Sequence, residues 1–197
     1  MSAKDEILAV IAANQPAFKA LPEIKFEELI SFEDRVLVFE QVLSKIGGEV
    51  IRLKNEEELL PLLTEKSEKR IVNLLNETPA EYERLKNSSS YELTDIEVVY
   101  LRGSLGVAEN GAVWVDETAM VNRILPFICQ HLVIVLDAKN IVETMHHAYQ
   151  HVIVDETGFG SFIAGPSKTA DIEQSLVIGA HGARSLKVYL LEEEKLP

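Results

Sequence analysis

The sequence predicts an α/β protein, a three-layer sandwich in which helices cover both faces of a mostly parallel sheet. Three observations predict it. Apolar runs such as 96–101, 132–136 and 186–191 lack the alternation of strands with one wet face, as strands buried on both faces do. Segments with helical apolar spacing separate those runs. Glycine and proline pairs, Gly47-Gly48 and Gly165-Pro166, punctuate the changes between them.

Taken in order, residues 5–18 carry Ile7, Leu8, Val10 and Ile11 among helix formers and read as a helix that Asn14-Gln15-Pro16 ends or kinks. Residues 22–29 connect it to a second helix at 32–46. Phe32, Val36, Phe39, Val42, Leu43 and Ile46 form one face of that helix, and Gly47-Gly48 stops it. A strand at 49–53, an acidic-started helix at 56–66 and a strand at 70–75 follow. Residues 77–90 are polar and turn-rich, with a helical turn around Tyr82. Strands are expected at 96–101, 112–115, 132–136, 161–164 and 186–191. Helices are expected at 121–130, 141–151 and 169–178, and residues 102–110 form a glycine-containing link. Trp114 and Phe162 fall in strand patterns and read as core.

Composition narrows the function classes. With 197 residues and 47% hydrophobic content, the chain supports one sizeable core. The net charge of −13, from 32 acidic and 19 basic residues, argues against a nucleic-acid or anionic-membrane partner. No run approaches the roughly eighteen apolar residues of a membrane span, and the start, MSAKDEILAV, lacks a secretory signal pattern. A soluble, cytoplasmic protein is expected. The lone Cys129 excludes an internal disulfide and an all-cysteine cluster site.

The most informative stretch is 158–182, GFGSFIAGPSKTADIEQSLVIGAHG. It reads as strand, tight turn, helix and glycine stop. Gly165 allows close approach to its backbone, and Pro166 fixes φ. Ser167 and Thr169 suit a helix cap, and Asp171 and Glu173 suit the positive end of that helix. Such a turn either binds an anion or simply caps its helix.

The run 165–173, GPSKTADIE, followed in register by Gly179, His181, Gly182 and Arg184, resembles the C-terminal signature of the LUD-domain family, which includes proteins of lactate utilisation. Ala164 stands where the family often has Ser, and Ala183 where it often has Pro. The resemblance spans about residues 45–192. It implies the Rossmann-like fold of sugar-phosphate isomerases and CoA transferases. It also implies a helical N-terminal extension at 1–45 and a LUD-type α/β domain at 46–197. The activity it implies is a non-redox role in oxidation of L-lactate to pyruvate, beside iron–sulfur partner proteins. The chain itself would bind no cofactor, the clusters being on the partners, and its ligand would be a small carboxylate or phosphate-bearing molecule. Asn110, Gly111, Gly165, Pro166, Ser167, Thr169, Asp171 and His181 would shape the binding cleft.

Glu109 is the candidate catalytic residue. Glu109-Asn110-Gly111 resembles the tripeptide around the nucleophilic glutamate of CoA transferases, and a carboxylate can attack an acyl-CoA thioester. That gives the alternative of a small CoA transferase or thioesterase-like enzyme. A turn needing left-handed φ explains the same three residues without chemistry. A further alternative is a sugar-phosphate binder or isomerase, with Lys168 or Arg184 at the phosphate. Ser167, Asp171 and His181 have the residue types of a hydrolytic triad, but no G-x-S-x-G elbow surrounds Ser167. His146, His147 and His151 include an i,i+4 pair, yet no H-E-x-x-H, and a solvated helix face is the favoured account, with no metal site. The glycines of 157–161 form a loop without the Lys-Ser/Thr of a P-loop.

Overall fold

The structure, a computed structural model, describes residues 2–63, 69–152, 154, 158–172, 175–179 and 181–192. Helix α1 (Ala3–Ala13) starts at a capping box in which Ser2 and Asp5 satisfy each other's backbone N–H groups. Helix α2 (Arg35–Lys45) starts at Asp34, whose carboxylate accepts from Leu37 N, and stops at Gly47 with φ +91°. Strand β1 (Glu49–Leu53), helix α3 (Glu56–Leu62), β2 (Arg70–Asn73), α4 (Pro79–Asn87) and β3 (Ile96–Arg102) follow. Then come β4 (Leu105–Val107), β5 (Ala112–Asp116), the single turns α5 (Glu117–Met120) and α6 (Leu125–Ile128), β6 (His131–Asp137), β7 (Ile141–Val142) and α7 (Met145–Ala148). The chain continues through β8 (Gly160–Ile163), β9 (Lys168–Ile172) and β10 (Ser175–Ile178) to β11 (Ser185–Leu191).

Five strands form a parallel sheet in the order β1-β11-β6-β3-β2. Its central strands are apolar on both faces, and the period-two geometry sends alternate side chains to two separate cores. On one face Val99, Leu101, Leu132, Ile134 and Val188 pack with Phe39 and Leu43 of α2, Leu85 of α4, Met120 and Leu125. On the other, Tyr100, Val133, Val135 and Tyr189 pack under Leu59 and Leu62 of α3. This is the α/β sandwich that the unalternating runs predict. A smaller sheet, β7-β4-β5-β8, lies over the α2 side and places Val113 and Val115 in the first core. Its other face holds Trp114 against Phe162, ring centroids 4.7 Å apart.

Residues 121–130 hold one helical turn, Leu125–Ile128, rather than a whole helix, and residues 102–110 hold strand β4; two larger corrections follow. Residues 169–178 are not a helix: β9 and β10 pair antiparallel, Thr169 opposite Val177 and Lys168 opposite Ile178, as a hairpin outside both larger sheets. Thr169, Ile172, Val177 and Ile178 are β-branched, and their preference for extended backbone outweighs a helical spacing that short apolar runs carry ambiguously. Ser167 and Thr169 therefore cap no helix. Nor do residues 141–151 form one helix. Ile141 and Val142 pair in parallel with Gly106 and Val107, and only Met145–Ala148 is helical.

Candidate functional site

The signature turn closes on the end of α2. Gly165 has φ +73°, and a Cβ there would stand 2.9 Å from the Ile46 carbonyl oxygen, so a side chain is excluded by both backbone and space. Lys168 Nζ donates to that same carbonyl. Backbone bonds then tie the two halves of the signature together. Ser167 N donates to Ala183 O at 2.8 Å, and Gly179 N donates to Ser167 O at 3.0 Å. The hairpin therefore leaves and returns at one point, which brings Ser167 and His181 to the same cleft.

That cleft, of about 330 Å³, is walled by the turn from Ala164 to Lys168, the return segment at His181 and Gly182, and the apolar Phe127. Its floor includes Leu132 and Leu186, so it lies against the amino ends of β6 and β11. Lys168 and His181 are exposed on its rim, and no carboxylate is among the described residues that line it. Among the described residues the lining thus offers one cation, a histidine and the Ser167 hydroxyl. Thr169 and Asp171 are placed on β9 of the hairpin.

Glu109, Asn110 and Gly111 occupy the turn between β4 and β5. Gly111 has φ +67°, and a Cβ would stand 2.9 Å from Leu43 N and Cα, so α2 packs on bare backbone. Asn110 Oδ1 accepts from Ala112 N at 3.0 Å, closing an Asx turn. Glu109 is exposed, and its Oε1 accepts from Met145 N at 2.6 Å, satisfying the first N–H of α7. It lines neither the signature cleft nor the cleft at the other end of the sheet. The two turns thus share α2 as a support, Gly111 on Leu43 and Gly165 on Ile46, without sharing a cavity.

Histidines 146 and 147 lie on α7. His147 Nδ1 is 2.9 Å from Thr144 Oγ1, and its ring meets Phe26 edge-on at 5.4 Å. Among the described residues no group of three or more His, Cys, Asp or Glu is arranged to hold a metal ion. Cys129 is buried, and desolvation pushes its thiol up to about 12. Burial thus keeps this thiol protonated and away from solvent.

A second cleft, of about 350 Å³, lies at the carboxyl ends of β3, β5 and β6, and the sequence motifs do not point to it. Arg102, Asp116 and Asp137 line it, each the last residue of its strand. Arg102 is already engaged, 2.6 Å from Glu56 and 3.5 Å from Asp137. With two lining carboxylates and a neutralised arginine, this cleft disfavours an anion. Its one sequence signal is a charged residue closing each apolar run, the position where open α/β sheets hold ligands.

An α/β sandwich whose C-terminal glycine signature folds back on itself defines a class, and the sequence match agrees with it. The chain belongs to the LUD domain family, which it matches over residues 66–191. It is similar to the lactate utilization protein C of Bacillus pumilus, 30% identical over 121 residues, covering 58% of this chain and 50% of that protein. The lactate utilization protein C of Shouchella clausii is 31% identical over 97 residues, 46% of this chain and 41% of its own. An uncharacterized protein of Neisseria meningitidis serogroup B is 29% identical over 136 residues, 66% of this chain and 58% of its own. The chain thus spans about half the length of the curated relatives it matches. A crystal structure of a DUF162 family protein from Deinococcus radiodurans superposes with a TM-score of 0.59 at 17% identity, over 83% of this chain and 99% of that one. That likeness supports the fold. Among the described residues no helix is long and apolar enough to cross a membrane.

Proposed function

We propose that this LUD-domain chain is a non-redox subunit of an L-lactate-oxidising system. In this reading it binds a small carboxylate or phosphate-bearing ligand in the signature cleft, and iron–sulfur partner proteins carry the electrons. The observation that carries the ligand half is the charge of the two clefts. Among the described residues the signature cleft offers Lys168, His181 and Ser167 with no lining carboxylate, whereas the carboxyl-end cleft offers two carboxylates and a paired arginine. The names of the relatives, lactate utilization protein C, support the pathway.

The partner half rests on two features. One buried cysteine cannot supply the four thiolates of an all-cysteine cluster, so redox centres would reside elsewhere. Helix α1 buries none of its residues, and Ile7, Leu8, Val10 and Ile11 are each at least half exposed. An eleven-residue helix with a wet apolar stripe gains little by itself and is suited to a partner surface. The test is isolation of the tagged chain from lactate-grown cells. Co-isolation of cysteine-rich, iron-containing proteins is expected, and its loss on deleting residues 2–13. Recovery of the chain alone, with lactate oxidation intact in its absence, would refute the proposed role.

A further inference from the structure

Apart from the signature cleft, the structure brings together a second set of hydroxyl, imidazole and carboxylate side chains. His131 opens β6, and its neighbours in the sheet register are Ser185 of β11 on one side and Val98 of β3 on the other. His131 Nδ1 lies 2.7 Å from Ser185 Oγ, and its Nε2 lies 3.7 Å from Glu97 Oε1. Glu97 reaches the imidazole because β3 bulges there. Arg70 pairs with Ile96 and Ile71 with Val98, so Glu97 is the extra residue and its carboxylate is re-aimed. Lys69 Nζ, 2.7 Å away, holds that carboxylate in its anionic form. Beside the three residues is a cleft of about 230 Å³ lined by His131, Ser185, Lys187, Val98 and two tyrosines, Tyr100 and Tyr189.

We propose that Ser185, His131 and Glu97 form a nucleophile–base–orienter relay that cleaves small acyl esters or thioesters in this cleft. A nucleophile within hydrogen-bond reach of a base, the base steadied by a third group, beside a cavity, is the constellation this chemistry needs. Ser185 Oγ bonds to the acyl carbon while its proton passes to His131 Nδ1. The bond to the alcohol or thiol breaks, and that leaving group takes the proton from His131. A water molecule then gives its proton to His131 and its oxygen to the acyl carbon. Ser185 departs with the proton, and a carboxylic acid is released. Glu97 is a positioning residue that stabilises the imidazolium. Lys187 also lines the cleft, its ammonium 3.4 Å from the exposed Glu49. The side chains of His131 and Glu97 are 43% and 22% exposed, open enough for a substrate to reach the base.

This inference stands apart from the lactate reading, which involves none of these residues. Its test is reaction of the purified chain with a fluorophosphonate probe, with peptide mass mapping, together with hydrolysis of p-nitrophenyl acetate. A single adduct on Ser185 is expected. Turnover should fall on the order of a hundredfold or more in Ser185→Ala and in His131→Gln. Glu97→Gln should lower kcat several-fold and leave KM unchanged at an undiminished thermal midpoint, which separates a positioning role from a loss of folded protein. Labelling of the unsubstituted chain decides the matter if a variant misfolds. Absence of an adduct on Ser185, or undiminished turnover in a folded Ser185→Ala, would overturn the assignment.

Discussion

At Gly111 a φ of +67° coincides with Leu43 backbone atoms 2.9 Å from where a Cβ would be, so two constraints act at one residue. Gly111→Ala is expected to destabilise by about 1–3 kcal/mol, read as a shift of the urea midpoint at unchanged m-value. Glu109 beside it is constrained far less. Its carboxylate caps Met145 N, an exposed contact that the amide oxygen of Glu109→Gln still makes, so that change should cost about 1 kcal/mol or less. It should also leave ligand binding in the signature cleft intact. These residues show what the sequence could and could not carry. The turn reading of Asn110 and Gly111 follows from residue type, because Asn side chains close Asx turns and Gly adopts positive φ. Which cavity Glu109 faces depends on how β4 and β5 sit on α2, and no local pattern encodes that.

Among the elements, α2 supports both turns. Phe39 and Leu43 are fully buried on it, and Phe39→Ala is expected to cost about 3–5 kcal/mol in chemical denaturation. Deleting α1 should do the opposite of what its apolar content suggests. Because it buries no residue, the thermal midpoint should hardly move while partner binding is lost. Elements with strong periodicity or capping, such as α2 from Asp34 and the strands β3, β6 and β11, are legible in the sequence. The 169–178 segment reads as a helix because five or so apolar residues fit both periods, and the hairpin is fixed by backbone pairing across the segment. The Ser185–His131–Glu97 cluster is illegible for a related reason. Its members are 54 and 34 residues apart, and only the sheet register and a bulge bring them together.

For the whole molecule, acid stability follows from its paired carboxylates. Arg70 holds Asp95, Lys69 holds Glu97 and Arg123 holds Glu117 below their ordinary values, chiefly by hydrogen bonds. The folded state therefore binds fewer protons than the unfolded one at these sites. Their contribution is fully present above the unfolded values of about 4, and is lost as pH falls through the lowered folded values. Desolvation raises Glu77, which acts in the opposite sense. The pairs are exposed, so the loss should be modest and should shrink in high salt. A thermal midpoint that declines below pH 4, more steeply at low than at high ionic strength, is the expected profile.

The most direct test of the account is a thermal-shift titration of the purified chain with L-lactate, pyruvate, inorganic phosphate and coenzyme A, repeated on Lys168→Met and Glu109→Gln. Ligand binding stabilises the fold by mass action, by about 2.7 kcal/mol at a hundredfold excess over Kd. The account predicts a rise with a small anion that Lys168→Met abolishes and Glu109→Gln preserves. A rise with coenzyme A that Glu109→Gln abolishes and Lys168→Met leaves intact would contradict it.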